Sequence, residues 1–192
     1  MLEFDETLVY PVDERLKDPG DTYTVKGRLA LDAYELGGHD FTVEDGLSFD
    51  LALTNAGEGI LATGLVSAAV VGECDRCLEP AHLPITGEVD EYFLFREPTG
   101  QEKVPDEDGE LDFSLVSDDH TIDLSDAVRD ALLLETPYVV LCREDCKGLC
   151  PVCGKNLNDG PCGHEDEVDR MRLSSNPFAA LKDLMDQGGE ER

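Results

Sequence analysis

The chain has 192 residues, of which 41% are hydrophobic, and its 44 acidic and 15 basic side chains give a net charge of −29 at pH 7. This length fits one domain with an appendage or two small domains, with enough apolar residues for a core. The charge excludes binding to nucleic acid through a generally basic surface, because affinity for phosphate depends on clustered Lys and Arg. Such acidity fits either the salt or proteome of the source organism or a basic protein partner.

Residues 1–10 contain neither a basic segment nor a long apolar segment, so no signal peptide is expected. No run of about 18 apolar residues is present that could span a membrane. We therefore expect a cytoplasmic protein without a membrane partner. Thiols stay reduced in the cytoplasm, so closely spaced cysteines there indicate metal or redox chemistry rather than disulfides.

The first half of the chain, residues 1–96, predicts an antiparallel β-rich domain. After an irregular lead-in over residues 1–21, apolar and polar side chains alternate in several segments, a pattern typical of half-buried strands. The predicted strands begin near Thr22, Leu47, Ile60 and Leu83. Turns are predicted at Gly37-Gly38 and at residues 55–59. The segment 60–71 is apolar on both faces and is predicted to be central. Consecutive strands with short connections favour a meander or a partly closed barrel.

The second half predicts an α+β completion of that domain, followed by a small C-terminal module. Residues 97–119 are rich in Asp, Glu, Gly and Pro and predict a mobile acidic loop. Residues 120–141 predict one packed helix over 124–134, with Asp123 as its N-cap, and a strand at 138–141 that completes the core. Residues 142–192 predict the C-terminal module, with a short terminal helix that begins at Asn176-Pro177.

A cysteine cluster in this module is the sharpest chemical signal. Five of the seven cysteines lie between positions 142 and 162, and His164 follows them. Cys150-Pro-Val-Cys153-Gly is a zinc-knuckle sequence, in which two thiolates grip one metal ion from a tight turn. Gly154 supplies a backbone conformation that residues with a Cβ avoid. We predict structural zinc binding here, and the leading ligands are Cys142, Cys146, Cys150 and Cys153.

Cys74 and Cys77 form a second Cys-x2-Cys pair, at the turn between two predicted strands. With Cys162 and His164 they raise the number of potential ligands to eight, enough for two tetrahedral sites. One partition gives a zinc ion to Cys150, Cys153, Cys162 and His164 and a second to Cys74, Cys77, Cys142 and Cys146. The other partition builds a single site from Cys142, Cys146, Cys150 and Cys153. The pair at 74 and 77 is then two small buried residues at the end of a hairpin.

The ligand types favour a structural site over a catalytic one. Four protein ligands leave no position for a reactive water, and thiolates have already donated much charge to the metal. The sequence has no His-Glu-x-x-His motif, nucleophile elbow or phosphate-binding glycine loop. Cys74-Asp-Arg-Cys77 has redox spacing, but predicted strands flank it rather than the strand and helix of a thioredoxin-like site. No catalytic residue is predicted, and a thiol-redox or zinc-dependent enzyme is the alternative.

Several of these motifs, in this order, resemble the YceD family of large ribosomal RNA subunit accumulation proteins. The matching segments are Glu73-Cys74-Asp-Arg-Cys77-Leu-Glu-Pro80, Ile122-Asp-Leu, Cys142-Arg-Glu-Asp-Cys146-Lys-Gly-Leu-Cys150-Pro-Val-Cys153-Gly and a closing Ala-Leu-Lys-Asp-Leu. The resemblance spans roughly residues 20–186. It implies a non-catalytic factor in the synthesis, processing or stability of large-subunit rRNA, that is, in ribosome biogenesis. Its implied partner is the rRNA or the pre-ribosome.

The charge distribution adds an alternative to that implication. An acidic body could hold a basic ribosomal protein while the zinc module docks it, so that the chain acts as an adaptor or chaperone. Between positions 142 and 164 the basic and acidic residues balance: these are Arg143, Lys147 and Lys155 against Glu144, Asp145 and Asp159. The cysteine cluster is therefore the part of the chain that repels RNA least.

Overall fold

The computed structural model describes residues 8–97 and 114–175. Contacts between Cα atoms divide the chain into two compact units. The first unit runs to Glu73 and resumes over Pro80–Val140. The second unit contains Cys74–Glu79 and begins again at Leu141. The short segment Cys74–Glu79 therefore belongs to the second unit, although it lies in sequence between two parts of the first unit.

The first unit consists of strands with one α-helix. The strands are β1 (Val9–Pro11), β2 (Thr22–Leu29), β3 (Ala33–Leu36), β4 (His39–Val43), β5 (Leu47–Asn55), β6 (Gly59–Glu73), β7 (Pro80–Leu94), β8 (Ser114–Leu115) and β9 (Thr121–Asp123). The helix α1 covers Ser125–Glu135. The predicted α+β class, β-rich with antiparallel pairing, is confirmed.

The long strand β6 is the centre of the main sheet, as its apolar character predicts. β7 pairs with it antiparallel along its whole length, from Gly59↔Leu94 to Glu73↔Pro80. The opposite edge of β6 is shared, because β5 pairs with residues 60–67 and β4 with residues 70–71. β2 extends the sheet beyond β5, and β3 extends it beyond β4.

The connectivity departs from the predicted meander. β5, β6 and β7 do follow one another in that way, but β2 pairs with β5 rather than with β3, and the hairpin of β3 and β4 joins the sheet beside β6. Only the turn of that hairpin was predicted, at Gly37-Gly38, where φ is 63° and 87°. Its strands have 4 and 5 residues, too few for a clear alternation. They are anchored by Tyr34 and Phe41, whose rings stack with centroids 5.1 Å apart.

Alternation along β5 shows how the sequence selects the buried face. Four of its apolar residues face the core, and each is at most 6% exposed: Leu47, Phe49, Leu51 and Leu53. On the other face Asp50 accepts from Lys26 of β2 at 2.6 Å. Burying one such apolar side chain contributes roughly 1.5–3 kcal/mol. A one-residue slip of register would expose the whole row, so the pairing is strongly specified.

The helix α1 packs against β7 at a glycine. A Cβ at Gly87 would clash with the carbonyl oxygen of Ala131, so only glycine allows the helix to approach the strand this closely. Val128 and Leu132 of α1 are both 0% exposed and complete its buried face. The apolar residues whose spacing predicted the helix include those that are buried in the structure.

The start of α1 differs by one residue from the prediction. Leu124, not Asp123, is the N-cap residue, and it has no capping side-chain hydrogen bond. Asp123 still satisfies a free backbone donor, because its Oδ1 accepts from the Ser125 N–H at 2.9 Å. Leu124 is the N-cap because its carbonyl accepts the first hydrogen bond of the helix, from the Val128 N–H at 3.0 Å.

Two irregular segments contain short strands. The lead-in over residues 1–21 includes β1, which pairs with β9 through Tyr10↔Ile122, and a 3₁₀ turn at Glu14–Leu16. The predicted acidic loop 97–119 includes β8, which pairs parallel with the end of β7. Strands of two or three residues carry no periodic signal, which is why the sequence did not show them. Residues 98–113 of that loop lie outside the described part.

The predicted strand at 138–141 is wrong. Tyr138 and Val139 are 71% and 64% exposed, Val140 is buried, and the segment is a bend. The apolar composition of this short run predicted a strand, but the run belongs to neither sheet of the described ranges. The predicted terminal helix at Asn176-Pro177 lies outside the described residues.

The second unit contains the helix α2 (Glu165–Ser175) and a 3₁₀ turn at Leu157–Asp159. The sequence analysis did not predict α2, whose apolar residues are few. Within 8–97 and 114–175, neither α1 nor α2 has the length and apolar character that crossing a bilayer requires.

Candidate metal centres

Four cysteines from two distant parts of the chain meet in the second unit. Cys74 and Cys77 come from the connection between β6 and β7, and Cys142 and Cys146 come from the segment after α1. Their Sγ atoms all lie within 4.8 Å of one another. The sulfurs of Cys74 and Cys146 are 3.8 Å apart, and those of Cys77 and Cys142 are 3.6 Å apart. These four residues are called the first quartet.

The sulfur distances of the first quartet fit a bound metal ion rather than disulfides. Bonded sulfurs would lie ~2.05 Å apart. Thiolates ~2.3 Å from a tetrahedral zinc ion lie ~3.8 Å from one another. Cys74, Cys77 and Cys146 are at most 3% exposed, so water has little access to their thiols. The first quartet could hold a divalent ion in a closed, four-sulfur site.

A second quartet is built from residues that are close in sequence. It consists of Cys150, Cys153, Cys162 and His164, whose ligand atoms also lie within 4.8 Å of one another. It is more open than the first quartet, because Cys153 is exposed and only Cys150 is buried. The second quartet could hold a metal ion through three sulfurs and one nitrogen.

His164 gives this possibility independent support. Its Nδ1 atom is buried and has no hydrogen-bond partner among the residues that the structure describes. Leaving a buried polar atom unsatisfied costs about 1–3 kcal/mol, and a bond from Nδ1 to a metal ion would remove that cost. The His164 carbonyl accepts from the Val168 N–H at 2.9 Å, so this ligand residue also begins α2.

The two Cys-x2-Cys segments have the same backbone turn. The residue after the second cysteine donates its N–H to the carbonyl of the first, Leu78 to Cys74 at 2.9 Å and Gly154 to Cys150 at 2.8 Å. In both turns the N–H of the first cysteine donates to the carbonyl five residues further on, at 2.9 Å. The residue after the second cysteine is left-handed in both, with φ of 61° at Leu78 and 71° at Gly154. Both segments are therefore knuckles, although only the second has the glycine that reveals one.

In each quartet the pKa of some thiols is lowered and that of others is raised. Burial opposes ionisation of Cys74, but backbone N–H groups, first that of Cys142, outweigh it and lower its pKa to about 6. The backbone N–H of Cys153 lowers the pKa of Cys150 to about 7. Burial and then the neighbouring sulfurs raise the pKa of Cys142 to about 12. Four thiolates at this spacing repel one another, and a cation would relieve that repulsion while the remaining protons leave.

Asn158 is a polar partner of the first quartet that the sequence analysis missed. Its Nδ2 donates to the Cys146 Sγ at 3.3 Å, and this hydrogen bond lowers the pKa of that thiol. Arg76 supports the same residue, donating from its guanidinium to the Cys146 carbonyl at 2.9 Å. Such outer partners orient metal ligands, and removing one typically lowers metal affinity by about 10- to 100-fold. The Asn-Leu-Asn-Asp-Gly run at 156–160 indicates a turn, but not which sulfur the turn approaches.

The structure brings the eight predicted ligand residues into the two groups of the first partition. These groups are Cys74, Cys77, Cys142 and Cys146, and Cys150, Cys153, Cys162 and His164. The single site made of Cys142, Cys146, Cys150 and Cys153 does not occur as a group in the described ranges. That these residues bind metal stays a prediction.

The family of the chain follows from its match to a known sequence profile. The profile described as large ribosomal RNA subunit accumulation protein YceD matches residues 62–185, a stretch that contains both quartets. The chain belongs to the YceD family. The resemblance seen in the cysteine motifs is confirmed.

Proteins similar to this chain occur in bacteria and plants. An uncharacterised protein of Mycobacterium tuberculosis is 38% identical over 124 residues, covering 64% of this chain and 57% of that protein. An uncharacterised protein of Mycobacterium leprae is 33% identical over 123 residues, or 64% and 54% of the two chains. A maize protein named large ribosomal RNA subunit accumulation protein YCED homolog 1, chloroplastic, is 30% identical over 117 residues, or 50% and 40%. The match therefore spans little more than half the length of the mycobacterial relatives. No solved structure matches the chain.

Proposed function

We propose that this chain is a non-catalytic, zinc-binding factor in the synthesis, processing or stability of large-subunit rRNA. The observation that carries the proposal is the YceD match over residues 62–185, which includes all eight ligand residues. The proposed partner is the rRNA or the pre-ribosome, in the cytoplasm.

The two quartets are proposed to hold one structural zinc ion each. Sulfur-rich sets of four ligands suit Zn²⁺, and a complete set leaves no coordination position for substrate or water. In the described part of the second unit, the buried hydrophobic residues are all cysteines: Cys74, Cys77, Cys146 and Cys150. A unit with so little other core depends on metal binding for its folding energy. The zinc ions would thus shape a docking surface rather than perform chemistry.

Depletion of the protein, followed by quantification of rRNA, tests the proposed role. We expect a lower ratio of large- to small-subunit rRNA, or accumulation of a large-subunit precursor. Complementation with Cys74→Ser and with Cys150→Ser should fail, whereas Ala69→Ser, a control at an exposed position of β6, should restore the ratio. An unchanged ratio without precursor after depletion would contradict the role in rRNA accumulation.

Metal analysis tests the zinc part separately. The purified chain should contain about two zinc ions and show no rapidly reacting thiol, because all seven cysteines are ligands in the two-quartet arrangement. One zinc ion with several reactive thiols would contradict it.

We propose an adaptor or chaperone for a basic ribosomal protein as a second candidate function. The first unit has a groove of about 420 Å³, which Leu134, 83% exposed, lines together with six carboxylates. The acidic residues are Glu88, Asp90, Glu91, Asp123, Asp126 and Asp130. Arg129 is the basic residue in this lining, and it pairs with Asp126 at 2.7 Å and Asp130 at 3.1 Å. Such a groove fits a segment rich in Lys and Arg.

A charge-matched pair of variants tests the second candidate. Glu88→Lys with Asp90→Lys should abolish capture of a basic ribosomal protein at moderate salt. Glu35→Lys with Asp40→Lys changes the net charge equally at exposed positions of β3 and β4, and should retain capture. Equal loss in both variants would point to net charge alone. Recovery of rRNA without a basic protein would count against this candidate.

A further inference from the structure

A loop of the second quartet reaches the first quartet. The loop runs from Cys153 to Cys162 and carries the 3₁₀ turn Leu157–Asp159 at its centre. From that turn the Asn158 Nδ2 donates to the Cys146 Sγ at 3.3 Å, and the Asn158 Oδ1 accepts from the Lys147 N–H at 2.9 Å. One side-chain amide therefore engages a thiol of the first quartet and the backbone beside it.

Backbone hydrogen bonds align this loop with the segment between the quartets. The Leu157 N–H donates to the Gly148 carbonyl at 2.9 Å, and Asn156 bridges to Leu149. The Leu149 N–H donates in turn to the Arg76 carbonyl, inside the first knuckle, at 2.9 Å. Gly148 is left-handed, with φ of 74°, and a Cβ there would lie 2.8 Å from the Arg76 carbonyl oxygen. The contact from loop to knuckle thus needs glycine at this position.

The position of the loop depends on the second quartet. Both of its ends, Cys153 and Cys162, belong to that quartet, so a metal ion there closes the loop. Residues 154–161 contribute no buried hydrophobic side chain, so apart from its hydrogen bonds the loop is held only by its two ends. Opening the ends restores the conformational freedom of the loop, which weakens every contact that Asn158 makes.

We propose that Asn158 is a positioning residue that couples the two metal sites, so that metal binding at either quartet raises the affinity of the other. The inference rests on the proposed zinc binding. A metal ion in the second quartet orders the loop and places the Asn158 amide on the Cys146 thiolate, where a donor stabilises the ligand in its metal-binding form. Because coupling between binding sites is reciprocal, a metal ion in the first quartet strengthens the second by the same factor.

Zinc titration of the intact chain, in competition with a chelator, measures the coupling. Disabling the second quartet with Cys153→Ser and Cys162→Ser should lower the zinc affinity of the first quartet by about tenfold, the low end of outer-partner effects. Asn158→Ala with all eight ligands present should lower it by a similar factor. Combining the two changes should give no further loss, because both remove the same hydrogen bond. Additive losses would overturn the coupling through Asn158.

Two variants separate the hydrogen bond to sulfur from the shape of the loop. Asn158→Asp keeps an oxygen for the Lys147 N–H but has no donor for the Cys146 thiolate, so it should lose at least as much affinity as Asn158→Ala. Asp159→Ala, an exposed neighbour in the same turn, should leave the affinity unchanged. With Co²⁺ in the first quartet, only the Asn158 variants should shift the thiolate-to-metal absorption. Wild-type affinity and absorption in Asn158→Asp would overturn the proposal.

The reciprocal experiment keeps the test independent of one variant. Disabling the first quartet with Cys77→Ser and Cys142→Ser should weaken zinc binding at the second by about the same tenfold factor. Two zinc ions bound with no change in either direction would overturn the coupling and leave the zinc-binding proposal intact. A wild-type chain that binds no zinc would overturn both.

Discussion

The shared backbone turn of the two knuckles can be tested by exchanging Gly, Ala and Leu after the second cysteine. Leu78 and Gly154 occupy equivalent positions and both have positive φ, 61° and 71°. At ordinary positions Ala is more stable than Gly, because Gly loses more conformational freedom on folding. At these two positions we expect the opposite order.

The size of the effect follows from the local geometry. A left-handed conformation costs a residue with a Cβ about 1–2 kcal/mol, and Ala regains about 0.4–1 kcal/mol from its restricted unfolded state. No heavy atom lies within 4 Å of a Cβ built at Gly154, so no clash adds to this. Gly154→Ala should therefore lower the free energy of unfolding of the second unit by about 1 kcal/mol. Leu78→Gly should be more stable than Leu78→Ala by about the same amount, since both variants lose the same side-chain contacts.

Urea unfolding at a fixed free Co²⁺ concentration measures these differences, because the thiolate-to-metal absorption reports on the second unit. Ala56→Gly is the control, since Ala56 is exposed in a loop and has negative φ. Because Ala56 lies in the first unit, the unfolding of this variant is followed by circular dichroism of the sheet rather than by metal absorption. The variant should be less stable than the wild type by about 0.5–1 kcal/mol. If Ala proves as stable as Gly at position 78, the first Cys-x2-Cys segment does not adopt the knuckle turn.

Two further predictions concern the first unit. Gly87→Ala should destabilise it by about 1–3 kcal/mol or more, because the new methyl group meets the Ala131 carbonyl and α1 must shift; thermal unfolding measures the loss. Tyr34→Phe should cost about 1 kcal/mol, since the Tyr34 hydroxyl bonds to Thr136 Oγ1 at 2.8 Å while Thr136 donates to the Leu132 carbonyl. Burial raises the pKa of Tyr34 above 10.0, so its contribution is complete below that pH and is lost as pH rises through the folded-state value. Unfolding free energies measured from pH 8 upward should therefore fall more steeply for the wild type than for Tyr34→Phe, and equal slopes would contradict this.

Long strands were predictable from the sequence because their alternation has a physical cause. β2, β5, β6 and β7 have 8 to 15 residues, enough for several apolar side chains on one face. The strands β1, β8 and β9 have two or three residues each and exist only because a partner lies beside them. The run 138–141 has the composition of a strand but belongs to neither sheet of the described ranges. Local pattern predicts a strand, whereas pairing decides whether a short one forms.

The ligand residues were predictable by type, whereas the sequence left two groupings of them open. Cysteines at positions 142, 146, 150 and 153 are three or four residues apart, so the sequence allowed a single site as well as two. The chain instead turns between Cys146 and Cys150, where Gly148 is left-handed, and the two cysteines join different quartets. The remaining half of the first quartet comes from Cys74 and Cys77, some 65 residues or more away in sequence. Spacing cannot show which distant pair a half-complete ligand set will meet.

The first knuckle shows that the C-terminal module, predicted to begin at residue 142, also includes residues from between β6 and β7. Residues 74–79 group with the C-terminal segment although they lie between β6 and β7 of the first unit. A piece that begins at residue 142 retains the second quartet complete but only Cys142 and Cys146 of the first. Because two cysteines do not make a closed tetrahedral site, the second unit acquires its full ligand set only when the hairpin of the first unit supplies Cys74 and Cys77. If the first quartet binds metal as proposed, its metal ion would link the folding of residues 74–79, between β6 and β7, to that of the C-terminal segment, which a self-sufficient terminal zinc module would not do.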